Sequence, residues 1–380
     1  MGWTDRRRAG VALAGAAVLM AAAACGSSAD DEPRGGPVPG GSASASEDSS
    51  SGSGGATGQD DVTVDETVVS GLQTPWDVDF LADGTPLVTL RDSGEVVRLD
   101  GGRQTVLDAG GEEGAVPDVQ HSSEDGLLGL AVGPDDGIFV YVTTESDHRV
   151  IRYDLEGDAL VQPEVILEGI PRHENHAGGR MAFGPDDHLY ITTGDARDLD
   201  LPQDTDSLAG KILRVTESGD PAPGNPFDNE VWSYGHRNVQ GLGWTSDGTM
   251  YASEFGSSNF DELNRITKGG NYGWPHIEGW ADEGDYVNPL VTWSTDEASP
   301  SGIAVTDEGI WMTALMGERL WYIPLDSDGG AGTPQSHDLD LGRLRAVVEH
   351  PDGGLWLVTS NTDGRGDPSE SDDQIVRLSV

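Results

Sequence analysis

The chain has 380 residues and a single cysteine, and its 67 acidic against 22 basic residues leave a net charge of −45. That balance argues against a nucleic-acid partner and against a polybasic membrane patch, since both need clustered cations. With only two lysines, Lys211 and Lys268, any site that gathers several arginines concentrates a scarce charge.

In chain order, the first element is "DRRRAGVALAGAAVLMAAAAC". Arg6, Arg7 and Arg8 precede an apolar run of 16 residues, from Ala9 to Ala24. Such a run is short for a bilayer-spanning helix and the right size for a signal h-region. The closing "AAAC" resembles a bacterial lipobox, in which the cysteine is lipidated and becomes the mature N-terminus. Residues 1–25 therefore read as a lipoprotein signal peptide ending at Cys25. An ordinary signal peptide cut at an Ala-x-Ala site is the alternative. The first reading predicts export and attachment to the outer face of the cell membrane through the lipid on Cys25 alone. It also predicts a mature domain without disulfides, because no second cysteine exists. Residues 26–61 hold almost no large apolar side chain and cannot form a core. They read as a tether of 36 residues, with a reach of about 30–35 Å as a flexible coil.

Residues 62–380 carry a recurring unit: an apolar strand, a Pro/Asp/Gly turn, then a second apolar strand. Its instances are "WDVDFLADGTPLVTL", "LGLAVGPDDGIFVYVTT", "RMAFGPDDHLYITTGD", "LGWTSDGTMYASEFG", "IAVTDEGIWMTAL" and "AVVEHPDGGLWLVTS". The turn aspartates are Asp83, Asp135, Asp186, Asp247, Asp307 and Asp352, spaced by 52, 51, 61, 60 and 45 residues. Turns of this kind between alternating strands are hairpin signals. A third strand of the "VVRLD" or "VIRYD" type follows each hairpin. Six units at this period predict an all-β, six-bladed β-propeller with four-stranded antiparallel blades. A β-sandwich would not require six similar units. The early strand "VTVDETVV" is expected to complete the last blade and close the ring.

Propellers bind ligands at one mouth of the axis, where loops from every blade converge. "RHENHAGGRM" lies just before the inner strand of the third unit, which points His176 into that mouth. His173 and His176 show a His-x-x-His spacing, but no cysteine or second histidine pair nearby completes a closed zinc site. Arg343 and Arg345, two apart in an extended strand, share one face. Arginine's planar fork suits a carboxylate ligand.

Five segments, taken in order, resemble the soluble quinoprotein aldose dehydrogenases of the glucose/sorbosone dehydrogenase type. They are "EDGLLGLAVGPD", "HAGGRMAFGPDDHLYITTGD", "SYGHRNVQGLGW", "SEFGSSNFDELNRITKGGNYGWP" and "GRLRAVVEHPDGGLWLVTS". The resemblance implies a six-bladed propeller that oxidises the C1 hydroxyl of aldose sugars to lactones. It implies pyrroloquinoline quinone (PQQ) as hydride acceptor, calcium as the ion and an external electron acceptor of unidentified kind. By position in the motifs, His176 is the catalytic base and Asp195 the acid that orients it. Arg237 matches the residue near the reactive quinone carbonyl, where a cation stabilises developing negative charge. Glu124, Arg237, Asn238, Arg343 and Arg345 map to PQQ contacts. The carbonyls of Gly256 and Ser257 map to the calcium beside the quinone. A second calcium would use Glu262, the carbonyls of Tyr272 and Glu278, and Asp282. The family's pattern is broken at Glu124, where glutamine is usual, at Met316, where a lysine stands, at Asn175, where an acid stands, and at Ser257, usually proline. Two other functions compete: a calcium-binding surface propeller without quinone, and a calcium-dependent lactonase. The lactonase would require side-chain carboxylates on the metal rather than a backbone-carbonyl loop.

Overall fold

The computed structural model describes residues 62–282 and 284–380. The expected leader, Cys25 and the tether lie outside the described residues. Six four-stranded antiparallel sheets form over residues 75–106, 127–170, 178–234, 239–293, 300–337 and 344–379. We number them blades 1 to 6. Within each blade the strands run outward in sequence order. Blade 6 is the exception: its three strands are joined by Thr63–Ser70 as the outermost strand, so the N-terminal strand closes the ring. The predicted fold, repeat number and closing strand all match.

What fixes the ring is apolar packing between blades. Strands here alternate or run wholly apolar because both faces of a blade are covered. Six buried clusters each join neighbouring blades. Leu87, Leu130 and Val140 join blades 1 and 2, and Tyr141, Met181 and Ile191 join blades 2 and 3. Val78, Val97, Trp356 and Ile375 close blade 6 onto blade 1. At about 1.5–3 kcal/mol per fully buried large aliphatic or aromatic side chain, this burial is the dominant favourable term.

The predicted turn aspartates all fall between the first and second strands of their blades, at one end of the axis. Asp83, Asp135 and Asp247 accept backbone N–H groups two residues on, as turn-forming aspartates do. Asp307 instead reaches across to Ser246 of the preceding blade, accepting its N–H at 2.8 Å and its hydroxyl at 2.6 Å.

The opposite end is less regular. Every inner strand slips register against its neighbour near its first residues: between Pro75 and Asp77, Leu127 and Leu130, Gly178 and Met181, Val239 and Gly241, Pro300 and Ile303, and Leu344 and Ala346. Bulges re-aim side chains. Trp76, Arg180, Gln240, Ser301 and Arg345 all stand inside these slips. Simple alternation from Arg343 to Arg345 is therefore not what aims the pair; the bulge between Leu344 and Ala346 intervenes.

Candidate active site

The residues singled out in the sequence gather at this bulged end. In an antiparallel blade the start of the inner strand sits beside the end of the second strand. His176 precedes the inner strand of blade 3, and Asp195 follows that blade's second strand. Arg237 and Asn238 precede the inner strand of blade 4, and Gly256 follows its second strand. Arg343 and Arg345 open blade 6.

His176 and Asp195 are both buried, with His176 Nδ1 2.7 Å from Asp195 Oδ1. Asp195 Oδ1 also accepts the Arg197 backbone N–H at 2.8 Å, and Oδ2 accepts the indole N–H of Trp274 at 2.9 Å. Burial would raise the Asp195 carboxyl, but the bond and charge of His176, the Arg197 N–H and Arg237 outweigh it and hold the group below the usual range. An ionised carboxylate only accepts, so Nδ1 carries the proton and Nε2 is the basic nitrogen. The loop is held in a left-handed turn at His176 (φ +59°). The His176 N–H donates to Glu124 Oε2 at 3.1 Å, and the Gly178 N–H donates to the Asn238 side-chain oxygen at 3.0 Å. A Cβ at Gly194 would lie 1.6 Å from the His176 carbonyl oxygen, so only glycine lets the two strands approach this closely. His173 takes part in its own turn, its Nδ1 accepting the Asn175 N–H at 3.0 Å.

A cavity of about 130 Å³ opens on the far side of Glu124, whose carboxylate holds the His176 backbone. Glu124, Gln240, Phe255, Leu315, Arg343 and Arg345 line it. Arg343 is satisfied by Asp363, with Nη2 at 2.9 Å and Nε at 3.2 Å, and by the Leu315 carbonyl. Arg345 is poorer: Nη1 donates to Gln240 Oε1 at 2.9 Å, Asp363 is 3.8 Å away, and Nε has no partner. Burial first, then the nearby Arg91, pull its guanidinium well below the ordinary arginine range. Beneath it, Arg180 pairs with Asp77, donates Nε to the Gln240 carbonyl and stacks 4.3 Å over Trp76, yet its Nη2 has no partner. Three buried arginines thus share two carboxylates. Uncompensated buried charge is costly, and an anionic ligand in the cavity would relieve it.

Glu124 is ionised beside this cavity. Burial would raise it, but Arg365, 3.0 Å away, and the His176 N–H hold it below its ordinary value. Met316 is exposed at the rim. Arg365, Asp363 and Gln240 were not singled out in the sequence. The first two sit in "SNTDGRGD", which reads as an ordinary polar turn, and Gln240 depends on a bulge.

A second, smaller cavity lies behind Phe255, lined among others by Arg237, Gly256, Glu262, Tyr272, Trp274 and Glu278. Arg237 lies 5.5 Å over the Trp274 ring, and its Nε has no partner. Glu254 binds His236 Nδ1 at 2.8 Å and shares Asn264 with Glu262. Burial, then the charge of Glu254, push the Glu262 carboxyl up to about 8. Glu278 Oε1 accepts four successive N–H groups, from Ser257, Ser258, Asn259 and Phe260, at 2.6–3.2 Å. Its side chain organises the loop, which leaves its carbonyl as the group available to an ion. A Cβ at Gly256 would lie 1.9 Å from the Phe260 carbonyl oxygen, so the loop requires glycine there. Asp282 is exposed and does not line this cavity. Among the described residues, no three His, Cys, Asp or Glu side chains are grouped to hold a metal.

Comparison with known proteins gives a consistent picture. The Glucose / Sorbosone dehydrogenase family model matches residues 72–375. The PQQ-bound aldose sugar dehydrogenase of Streptomyces coelicolor superposes with a TM-score of 0.79 at 48% identity, covering 84% of this chain and 97% of that one. Aldose sugar dehydrogenase YliI of Escherichia coli is 29% identical over 79% of this chain and 90% of its own length. Quinoprotein glucose dehydrogenase B of Acinetobacter calcoaceticus is 29% identical over 65% of this chain and 61% of its own.

The raised Glu262 predicts a pH dependence. A carboxyl raised in the fold favours folding most below its unfolded value of 4.5, and that contribution is lost as pH rises through about 8. Without added cation, the melting temperature of the wild type should fall relative to that of Glu262→Gln between about pH 5 and about pH 8. Thermal melts across that range test this; an unchanged slope in the variant contradicts it.

Proposed function

The chain belongs to the glucose/sorbosone dehydrogenase family, and on that premise we propose that it oxidises the C1 hydroxyl of aldose sugars to lactones as a PQQ- and calcium-dependent quinoprotein. One observation carries the reading. The His176–Asp195 pair is tied through Glu124 to the wall of a cavity floored by under-compensated arginines. A base and an anion site are thereby side by side.

His176 Nε2 accepts the proton of the sugar hydroxyl. Asp195 keeps Nδ1 protonated and stabilises the imidazolium that results, while Trp274 and the Arg197 N–H keep Asp195 ionised. Arg343 and Arg345 would hold carboxylates of PQQ, and Asn238 fixes the Gly178 turn that presents the histidine. Arg237, with its unpartnered Nε, meets the negative charge that develops during oxidation. When bound, PQQ supplies the hydride acceptor. The Gly256 and Ser257 carbonyls would hold the calcium beside it, and Glu262 with the Tyr272 and Glu278 carbonyls a second one, without Asp282, which does not reach that cavity. These donors are all oxygen, as calcium prefers.

Export and anchoring through Cys25 complete the reading, supported by the basic, apolar and small-residue order of residues 1–25. Cys25→Ser should release the protein from the membrane fraction or leave it unprocessed; unchanged membrane association and mass would refute the anchor.

The central test is sugar-dependent dye reduction after PQQ and calcium are added to the purified protein. His176→Ala should lower turnover by roughly 10²–10⁴, the contribution of a positioned base, while PQQ binding persists. His173→Ala should change turnover little. Loss of activity in His173→Ala, or full activity in both, contradicts the assignment.

A further inference from the structure

The cavity opens between the loop that carries Glu124 and the loop that follows the second strand of blade 6. Arg365 crosses that opening. Its Nη1 lies 3.0 Å from Glu124 Oε1, and its Nη2 donates to Ser123 Oγ at 3.4 Å. The other Glu124 oxygen holds the His176 N–H. The Arg365 side chain is 50% exposed, unlike the buried floor arginines. Its own N–H donates to Asp363 Oδ1 at 2.9 Å, while Asp363 Oδ2 binds Arg343. One short loop therefore carries both the counterion of a floor arginine and the cation that neutralises a rim carboxylate.

The floor arginines favour an anion, yet Glu124 lines the same cavity and is ionised. Unpaired, it would repel the ligand that the floor attracts. Met316, also on the rim, offers no charge. A guanidinium has five donors in a rigid fork and can serve two carboxylates at once. We propose that Arg365 is a shared counterion, bridging Glu124 and a carboxylate of bound PQQ, so that Glu124 can hold the His176 loop without excluding the cofactor. This deepens the PQQ reading above and rests on it.

The test is equilibrium titration of PQQ into the calcium-loaded full chain, followed by tryptophan quenching. It uses wild type, Arg365→Ala, Glu124→Gln and the double variant, each first checked for wild-type circular dichroism. Arg365→Gln serves if Arg365→Ala does not fold. Loss of Arg365 should weaken binding about tenfold, the scale of one charge-assisted contact. Glu124→Gln should tighten binding only a few-fold in the wild-type background but about tenfold or more without Arg365, because only there is the carboxylate unpaired. Unchanged affinity on losing Arg365, or an equal effect of Glu124→Gln in both backgrounds, overturns the proposal while leaving the PQQ reading intact. Failure of the wild-type protein to bind PQQ overturns both.

Discussion

Arg345 is a cation held at the axis of the ring with too little negative charge around it. Its guanidinium is buried, one nitrogen has no partner, and the carboxylate nearest to it is already engaged by Arg343. Burying charge without full pairing disfavours folding, so the ring must be stable enough to tolerate it. The six inter-blade apolar clusters provide that reserve. The same imbalance gives the cavity its selectivity, because a ligand that brings carboxylates completes what the fold leaves incomplete. In this respect the site is prepared for its anion before the anion arrives.

The bulges convert a repetitive scaffold into one specific floor. A regular inner strand would alternate its side chains between the two neighbouring blades. The register slip at the start of each strand turns Trp76, Arg180, Gln240 and Arg345 toward one another instead. Gln240 joins them: its carbonyl accepts from Arg180, and its side-chain oxygen accepts from Arg345 and from Ser301. Above this floor the loops hold one another through carboxylates. Asp195 fixes His176, Glu124 fixes the His176 backbone, Asp363 fixes Arg343, and Glu278 gathers the loop after blade 4's second strand. An acidic chain is suited to such a design, because buried carboxylates can organise backbone N–H groups as well as arginines.

Much of this was legible in the sequence. The six Asp-containing turns gave the blade count because each hairpin must be repeated to bury its faces. The early strand had no hairpin partner of its own, which pointed to ring closure. His176 and Asp195, nineteen residues apart, meet because they flank the first two strands of one blade. What stayed hidden depended on backbone irregularity or on distant loops. A bulge leaves no mark in a two-residue period, so the aim of Gln240 and Arg345 could not be read. Arg365 and Glu124 sit in loops of different blades, and nothing in either segment signals their meeting. Glu124 read as a misplaced carboxylate because its cation lay far along the chain. Asp282, expected beside Glu262, is instead exposed on its loop.

The central claim is that the charge at Arg345 is kept for an anionic ligand and not for the fold. Replacing it with methionine, Arg345→Met, preserves much of the side-chain volume and leaves the Gln240 oxygen bonded to Ser301. Thermal unfolding of the wild-type and variant proteins, with and without saturating PQQ, separates the two roles. The account predicts that the ligand-free variant melts at or above the wild-type temperature and that the stabilisation by PQQ seen in wild type is lost. A ligand-free variant that melts lower, with the PQQ-induced shift intact, would contradict it.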